Sequence, residues 1–196
     1  MKKILLLIVA VFITLKGYTQ AKEERSWLLP DHYKVQFAGN IGFLSVGAGY
    51  MNKSQKLETD IFAGFVPKSI GGDHIISTTV KLTYLPWYIH SGEKYTIVPF
   101  TIGSYLSYSF GSQFDTLLPN QYPEGYYWWA TSLRFGAFMG GKIQRSTSGK
   151  GLFKSVDVYY ELGTYDLLFI SYVQNMDALS VPDIFSLALG VKMRIE

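Results

Sequence analysis

Phe185-Ser186-Leu187-Ala188-Leu189-Gly190-Val191-Lys192-Met193-Arg194-Ile195 alternates throughout: the odd positions are large and apolar, the even ones small or basic. Successive side chains of a strand point to opposite faces, so a period of two gives one greasy face and one polar face. The pattern returns upstream. Leu57, Thr59, Ile61, Ala63 and Phe65 stand against Glu58, Asp60, Phe62 and Gly64, and Leu133, Phe135, Ala137 and Met139 against Arg134, Gly136, Phe138 and Gly140. Charges of both signs share the second face with glycine and an occasional Phe. This fits an inside-out barrel, with apolar side chains toward lipid and polar ones toward a lumen. The expected fold is therefore an all-β, antiparallel, up-and-down transmembrane β-barrel of about eight strands.

The N-terminus agrees with export. Met1-Lys2-Lys3 is basic, Ile4 to Leu15 is apolar except for Thr14, and Lys16 to Gln20 is polar. The apolar run is shorter than the roughly 20 residues a membrane-spanning helix needs, and no stop-transfer run follows. The chain divides into a signal peptide, 1–20, and a barrel domain, 21–196. The absence of cysteine excludes a lipoprotein anchor, a disulfide framework and thiolate metal sites. Of 18 Lys and Arg, Lys2, Lys3 and Lys16 leave with the signal, and the remaining 15 match the 15 acids. With no basic surplus, a nucleic-acid partner is excluded.

Eight strands are expected at about 33–39, 43–51, 56–66, 75–86, 95–109, 127–143, 154–163 and 184–195. Most reach the roughly 9–11 residues of a tilted membrane strand; the first does not. Residues 33–51 read equally as one strand bent at Gly39-Asn40-Ile41-Gly42, with Leu167–Val173 as the missing strand. That segment follows Asp166, a helix-capping residue type, and reads as a rim helix just as well. An even strand count puts both termini on one side, the periplasmic side in outer-membrane barrels. Connectors 52–55, 87–94 and 144–153 then lie inside, and 40–42, 67–74, 110–126 and 164–183 outside. The outer set is acidic, with Asp73, Asp115, Glu124, Asp166, Asp177 and Asp183 against Lys68.

Aromatic residues cluster where two interfacial girdles would fall. Tyr84, Trp87, Tyr88 and Tyr95 mark the inner end, and Tyr108, Phe110, Tyr126, Tyr127, Trp128 and Trp129 the outer end. By alternation the inward ionisable set is Glu58, Asp60, Lys81, Arg134, Lys142, Asp157, Glu161, Lys192 and Arg194. Isolated charges in a narrow lumen are costly, so opposite signs should pair, with Arg134 and Lys81 opposite Glu58, Asp60 or Glu161. Eight strands leave room only for side chains, which implies a plugged lumen.

Catalytic and metal patterns are weak. His90 and Ser91 are neighbours and would face opposite ways on a strand, and His74 and Thr78 are too far apart to hydrogen-bond. Asp31-His32 and Asp73-His74 have no third ligand at useful spacing and read as solvated loop residues. The glycines at 39 and 42, 47 and 49, and 140 and 141 are not followed by helices, and read as room for large neighbours within a wall. No cofactor motif is present.

On its signal peptide, strand pattern, aromatic ends and closing strand, the chain resembles the small eight-stranded outer-membrane barrels of Gram-negative bacteria, of OmpA/OmpX-like and lipid A deacylase-like architecture. The resemblance implies fold and location. The deacylase-type His-x-Ser pair is lacking, and the last strand ends Ile195-Glu196 where such barrels usually end in an aromatic residue. The expected role is structural or binding: outer-membrane lipid around the wall and a protein partner at the extracellular loops. The alternatives are an enzyme acting on outer-leaflet lipid and a soluble lipocalin-like ligand carrier.

Overall fold

Alternation over most of the chain leaves each strand half apolar and half polar, and the sheet resolves this by closing on itself. The computed structural model describes residues 29–111, 114, 130–147 and 151–195. Residues 1–28, which include the expected signal segment, most of the 110–126 connector and the expected girdle residues Tyr126, Tyr127, Trp128 and Trp129 lie outside the described residues. The strands are β1 (His32–Ala38), β2 (Leu44–Met51), β3 (Leu57–Val66), β4 (Ile75–Tyr84), β5 (Ile89–Ser91), β6 (Tyr95–Phe110), β7 (Leu133–Ser146), β8 (Phe153–Tyr165) and β9 (Ser186–Ile195). All pairings are antiparallel. The sheet runs β4-β3-β2-β1-β9-β8-β7-β6, and a β4–β6 ladder closes it into an eight-stranded up-and-down barrel. Closure removes the sheet edges. Strand β5 is the exception, a short hairpin arm on the start of β6.

The two ambiguous segments resolve separately. Residues 33–51 form two strands, because Ala38 and Gly39 both take left-handed backbone (φ 58° and 81°) and turn the chain back on itself. Residues Asp166–Gln174 form a helix between β8 and β9. Strand β7 begins at Leu133 rather than 127, since residues 131–132 form a turn, and it continues to Ser146. The 67–74 connector holds a single helical turn, Lys68–Gly71. Among the described residues no helix is long and apolar enough to cross a membrane, which says nothing of strands.

The end where β1 starts and β9 finishes is called the lower end. Outward positions are apolar and open: Ile61 is 59% exposed, Ile143 54%, Val158 60% and Leu189 52%. Inward positions are buried and largely polar. Four inward aromatics each stand directly opposite a glycine of the neighbouring strand: Phe62 opposite Gly47, Phe138 opposite Gly103, Tyr105 opposite Gly136 and Tyr159 opposite Gly190. A Cβ at any of these glycines would strike the facing ring. The glycines thus let large rings lie flat inside a narrow barrel.

An apolar side chain is buried near each end. At the top the β1–β2 turn folds inward, placing Ile41 against Phe62, Tyr105 and Phe138, and its carbonyl accepts from Ser77 Oγ at 2.8 Å. At the bottom Leu85, just beyond β4, is buried beneath the barrel, and its N–H donates to the Lys56 carbonyl at 2.8 Å. Strand β6 is irregular between Val98 and Thr101, where Pro99 is accommodated as a bulge and Val98 is fully buried.

Candidate functional site

Strand β1 organises the interior. In His32-Tyr33-Lys34-Val35-Gln36-Phe37-Ala38, His32, Lys34 and Gln36 turn inward and are buried, while Val35 and Phe37 turn outward. Lys34 Nζ donates to Glu58 Oε2 at 2.8 Å and to Asp60 Oδ2 at 2.6 Å. Glu58 also accepts from Lys142 at 2.8 Å and from Lys192, and Lys142 lies 3.3 Å from Asp157. His32 Nε2 and Asp60 Oδ1 are 2.6 Å apart. Lys81 pairs with Glu161, donates to Gln36 at 3.2 Å and stands 4.3 Å from the Phe138 ring centroid. The Tyr159 hydroxyl meets the same Gln36 oxygen at 3.3 Å.

Four buried lysines, Lys34, Lys81, Lys142 and Lys192, thus balance four buried carboxylates, Glu58, Asp60, Asp157 and Glu161. Each ion gives up hydration worth several kcal/mol, and only complete pairing with added hydrogen bonds offsets that. Glu58 is the hub. Lys34 and Lys192 are direct partners in the β1–β9 ladder, so two like charges stand side by side and share its carboxylate. Gly49 makes space for the neighbouring pair: a Cβ there would lie 2.7 Å from His32 Nε2 and collide with the Asp60 carboxylate.

Of the nine residues expected inside, Glu58, Asp60, Lys81, Lys142, Asp157, Glu161 and Lys192 come together in this lattice. Arg134 and Arg194 do not. Arg134 pairs with Asp166 at 3.4 Å at the upper rim, and not with Glu58, Asp60 or Glu161. Arg194 reaches toward the Met51 sulfur and, at 3.5 Å, Gln55 at the lower end. Alternation assigns a face but not a depth, and long arginines near strand ends extend toward the openings. His32 also departs from expectation. It is fully buried, not a solvated loop residue, because β1 begins at His32 and its side chain points inward.

Ligating atoms of His32, Glu58 and Asp60 fall within 4.8 Å of one another. The lysine ammonium groups on both carboxylates already supply the positive charge a metal ion would bring there. Elsewhere, His90 Nδ1 lies 3.1 Å from Thr96 Oγ1, and the His74 ring stacks on Phe65 with centroids 5.7 Å apart.

Among the described residues, one cavity of about 20 Å³ is lined by Gln36, Asn40, Ile41 and Tyr105, and another of about 20 Å³ by Lys34, Thr83, Leu85 and Lys142. Each is on the scale of a single water position, far below the roughly 300–1,000 Å³ of ligand pockets.

Aromatics gather at both ends of the wall. Tyr84, Trp87 and Tyr95 are exposed at the lower end, and the Trp87 and Phe100 rings lie 6.2 Å apart. Tyr88 is half-buried and its hydroxyl donates to the Gln55 carbonyl; burial raises the pKa of that phenol. At the upper end Tyr108 and Phe110 meet edge to face at 4.9 Å, as do Phe37 and Phe43. The upper connectors are less acidic than the sequence suggests, since Asp166 takes Arg134 and the Phe135 N–H. Asp115 and Glu124 lie outside the described residues.

No protein-family model, curated protein or solved structure matches the chain.

Proposed function

We propose that this is an integral outer-membrane barrel with a closed, ion-paired interior, acting through its outer loops in a structural or binding role. The observation that carries the reading is inverted polarity. Four lysines and four carboxylates are buried inside, while Ile61, Ile143, Val158, Leu187 and Leu189 are about half exposed around the wall. Monomeric soluble proteins seldom expose contiguous apolar patches above a few hundred Å², whereas a membrane barrel needs an apolar band of this kind. The exposed aromatics at both strand ends fit headgroup-level girdles. The leader-like segment 1–20 fits export across the inner membrane of a Gram-negative cell.

The ion pairs around spaces of about 20 Å³ favour this reading over a lipocalin-like carrier, whose ligand calls for a larger apolar cavity. Function then falls to connectors carried on a rigid scaffold. In planar bilayers the purified protein should insert without a steady open conductance; a steady conductance would overturn the closed interior. Deleting residues 112–122 should leave the barrel intact and abolish rescue of a null strain. Full rescue by that variant overturns the role of this loop.

A further inference from the structure

The helix Asp166–Gln174 joins β8 to β9 at the upper rim, and no residue in it is buried. Its sequence, Asp-Leu-Leu-Phe-Ile-Ser-Tyr-Val-Gln, has no charge after Asp166, and at 100° per residue its apolar side chains fall on every side of the axis. A helix that is hydrophobic all round belongs in an apolar medium, whereas one that docks in a partner's groove presents a single apolar stripe. Its nine residues span about 13 Å by the helical rise, too short to cross a bilayer.

The surroundings point the same way. Leu162 and Leu187 are direct partners at the top of the β8–β9 ladder, both facing outward. In the connector above that pair, Phe169, Val173, Met176 and Val181 are each about half exposed as well. Two of the connector's three acids, Asp166 and Asp183, are turned to local partners. Asp166 points to Arg134 at 3.4 Å, and Asp183 accepts from the Ser180 hydroxyl at 2.7 Å and its N–H at 2.8 Å, which holds its carboxyl below the usual range.

We infer that this rim helix is a lipid-contacting element, lying along the outer leaflet with Phe169 and Val173 among the acyl chains. The inference rests on the membrane reading above and names the partner of the 164–183 connector as lipid rather than protein. The helix would widen the apolar collar on one side of the barrel and hold the β8–β9 connector against the membrane. The Arg134–Asp166 pair would tie its first turn to the barrel mouth.

The chain lacks cysteine, so single labels can be placed cleanly. Nitroxide-labelled Phe169→Cys, Val173→Cys, Leu189→Cys and Asp177→Cys variants of the full mature chain are reconstituted in phosphatidylcholine–phosphatidylglycerol vesicles. Collision rates are compared for oxygen, which concentrates in lipid, and a nickel chelate, which stays in water. Labels at 169 and 173 should favour oxygen several-fold, approaching the label at 189, while the label at 177 favours nickel. If 169 and 173 behave like 177 while 189 remains lipid-exposed, the helix inference fails and the barrel reading stands. Labels at 169 and 173 hidden from both reagents, with cross-linked dimers, mean that a second copy covers the helix, which also overturns the inference. Nickel access at 189 sinks the membrane reading, and the helix inference with it.

Discussion

In the lower half of the barrel, one carboxylate, Glu58, gathers the ammonium groups of Lys34, Lys142 and Lys192. In the upper half, Ile41 packs on Phe62, Tyr105 and Phe138, and neighbouring polar groups are hydroxyls such as Thr79 and Ser107, 2.8 Å apart. The same alternating wall carries both fillings, so the difference lies in inward residue choice alone. The two halves should answer perturbation differently. An ionic lattice tolerates little, because removing one member leaves its partners charged and dry. An aromatic and aliphatic filling loses stability in proportion to the volume removed.

Glu58→Ala should give the largest effect, since three ammonium groups lose their shared acceptor. We expect about 3–5 kcal/mol lost, read by urea titration in lipid vesicles. A loss below 1 kcal/mol would mean the lattice is hydrated rather than buried, erasing the distinction between the halves. Leu189→Arg tests the wall common to both. It should cost about 2–4 kcal/mol near the midplane in the same titration, and a neutral outcome would place that face in water.

Lys81 and Glu161 pair where the lattice meets the aromatic half. Lys81→Met and Glu161→Gln together should cost less than the two single changes summed, with a coupling of about 0.5–3 kcal/mol. An additive result would show that each ion is stabilised by other groups. The smallest effect is expected from Ile41→Val in the upper half, about 0.5–1.5 kcal/mol. A loss as large as that of Glu58→Ala would mean that the inward-folded turn, not the lattice, dominates stability.

How much of this was legible in the sequence differs by strand. The alternation in β3, β7 and β9 is long enough to assign faces, and it places Glu58, Asp60, Lys142 and Lys192 inward. Strand β1 has the same alternation over only seven residues, and its Lys34 and His32 resemble ordinary exposed polar residues. Only pairing of β1 with β9 turns them into the interior. Glu58 meets Lys142 and Lys192 from 84 and 134 positions away, a proximity that depends on barrel closure and leaves no local trace. The aromatic–glycine pairs are partly visible, since inward glycines signal room for a neighbour, but register decides which ring fills the room. Arg134 misled because alternation is blind to height, and the Asp166 that takes it lies beyond the next strand in sequence.

Fractionation of cells making the full chain tests the central claim, an inside-out barrel embedded in lipid, most directly. Membranes are washed with alkaline carbonate and then with urea, and the protein is followed through each wash and into detergent. The folded protein should stay with the membrane pellet through both washes and leave only in detergent. Release of the intact protein by carbonate or urea would contradict it.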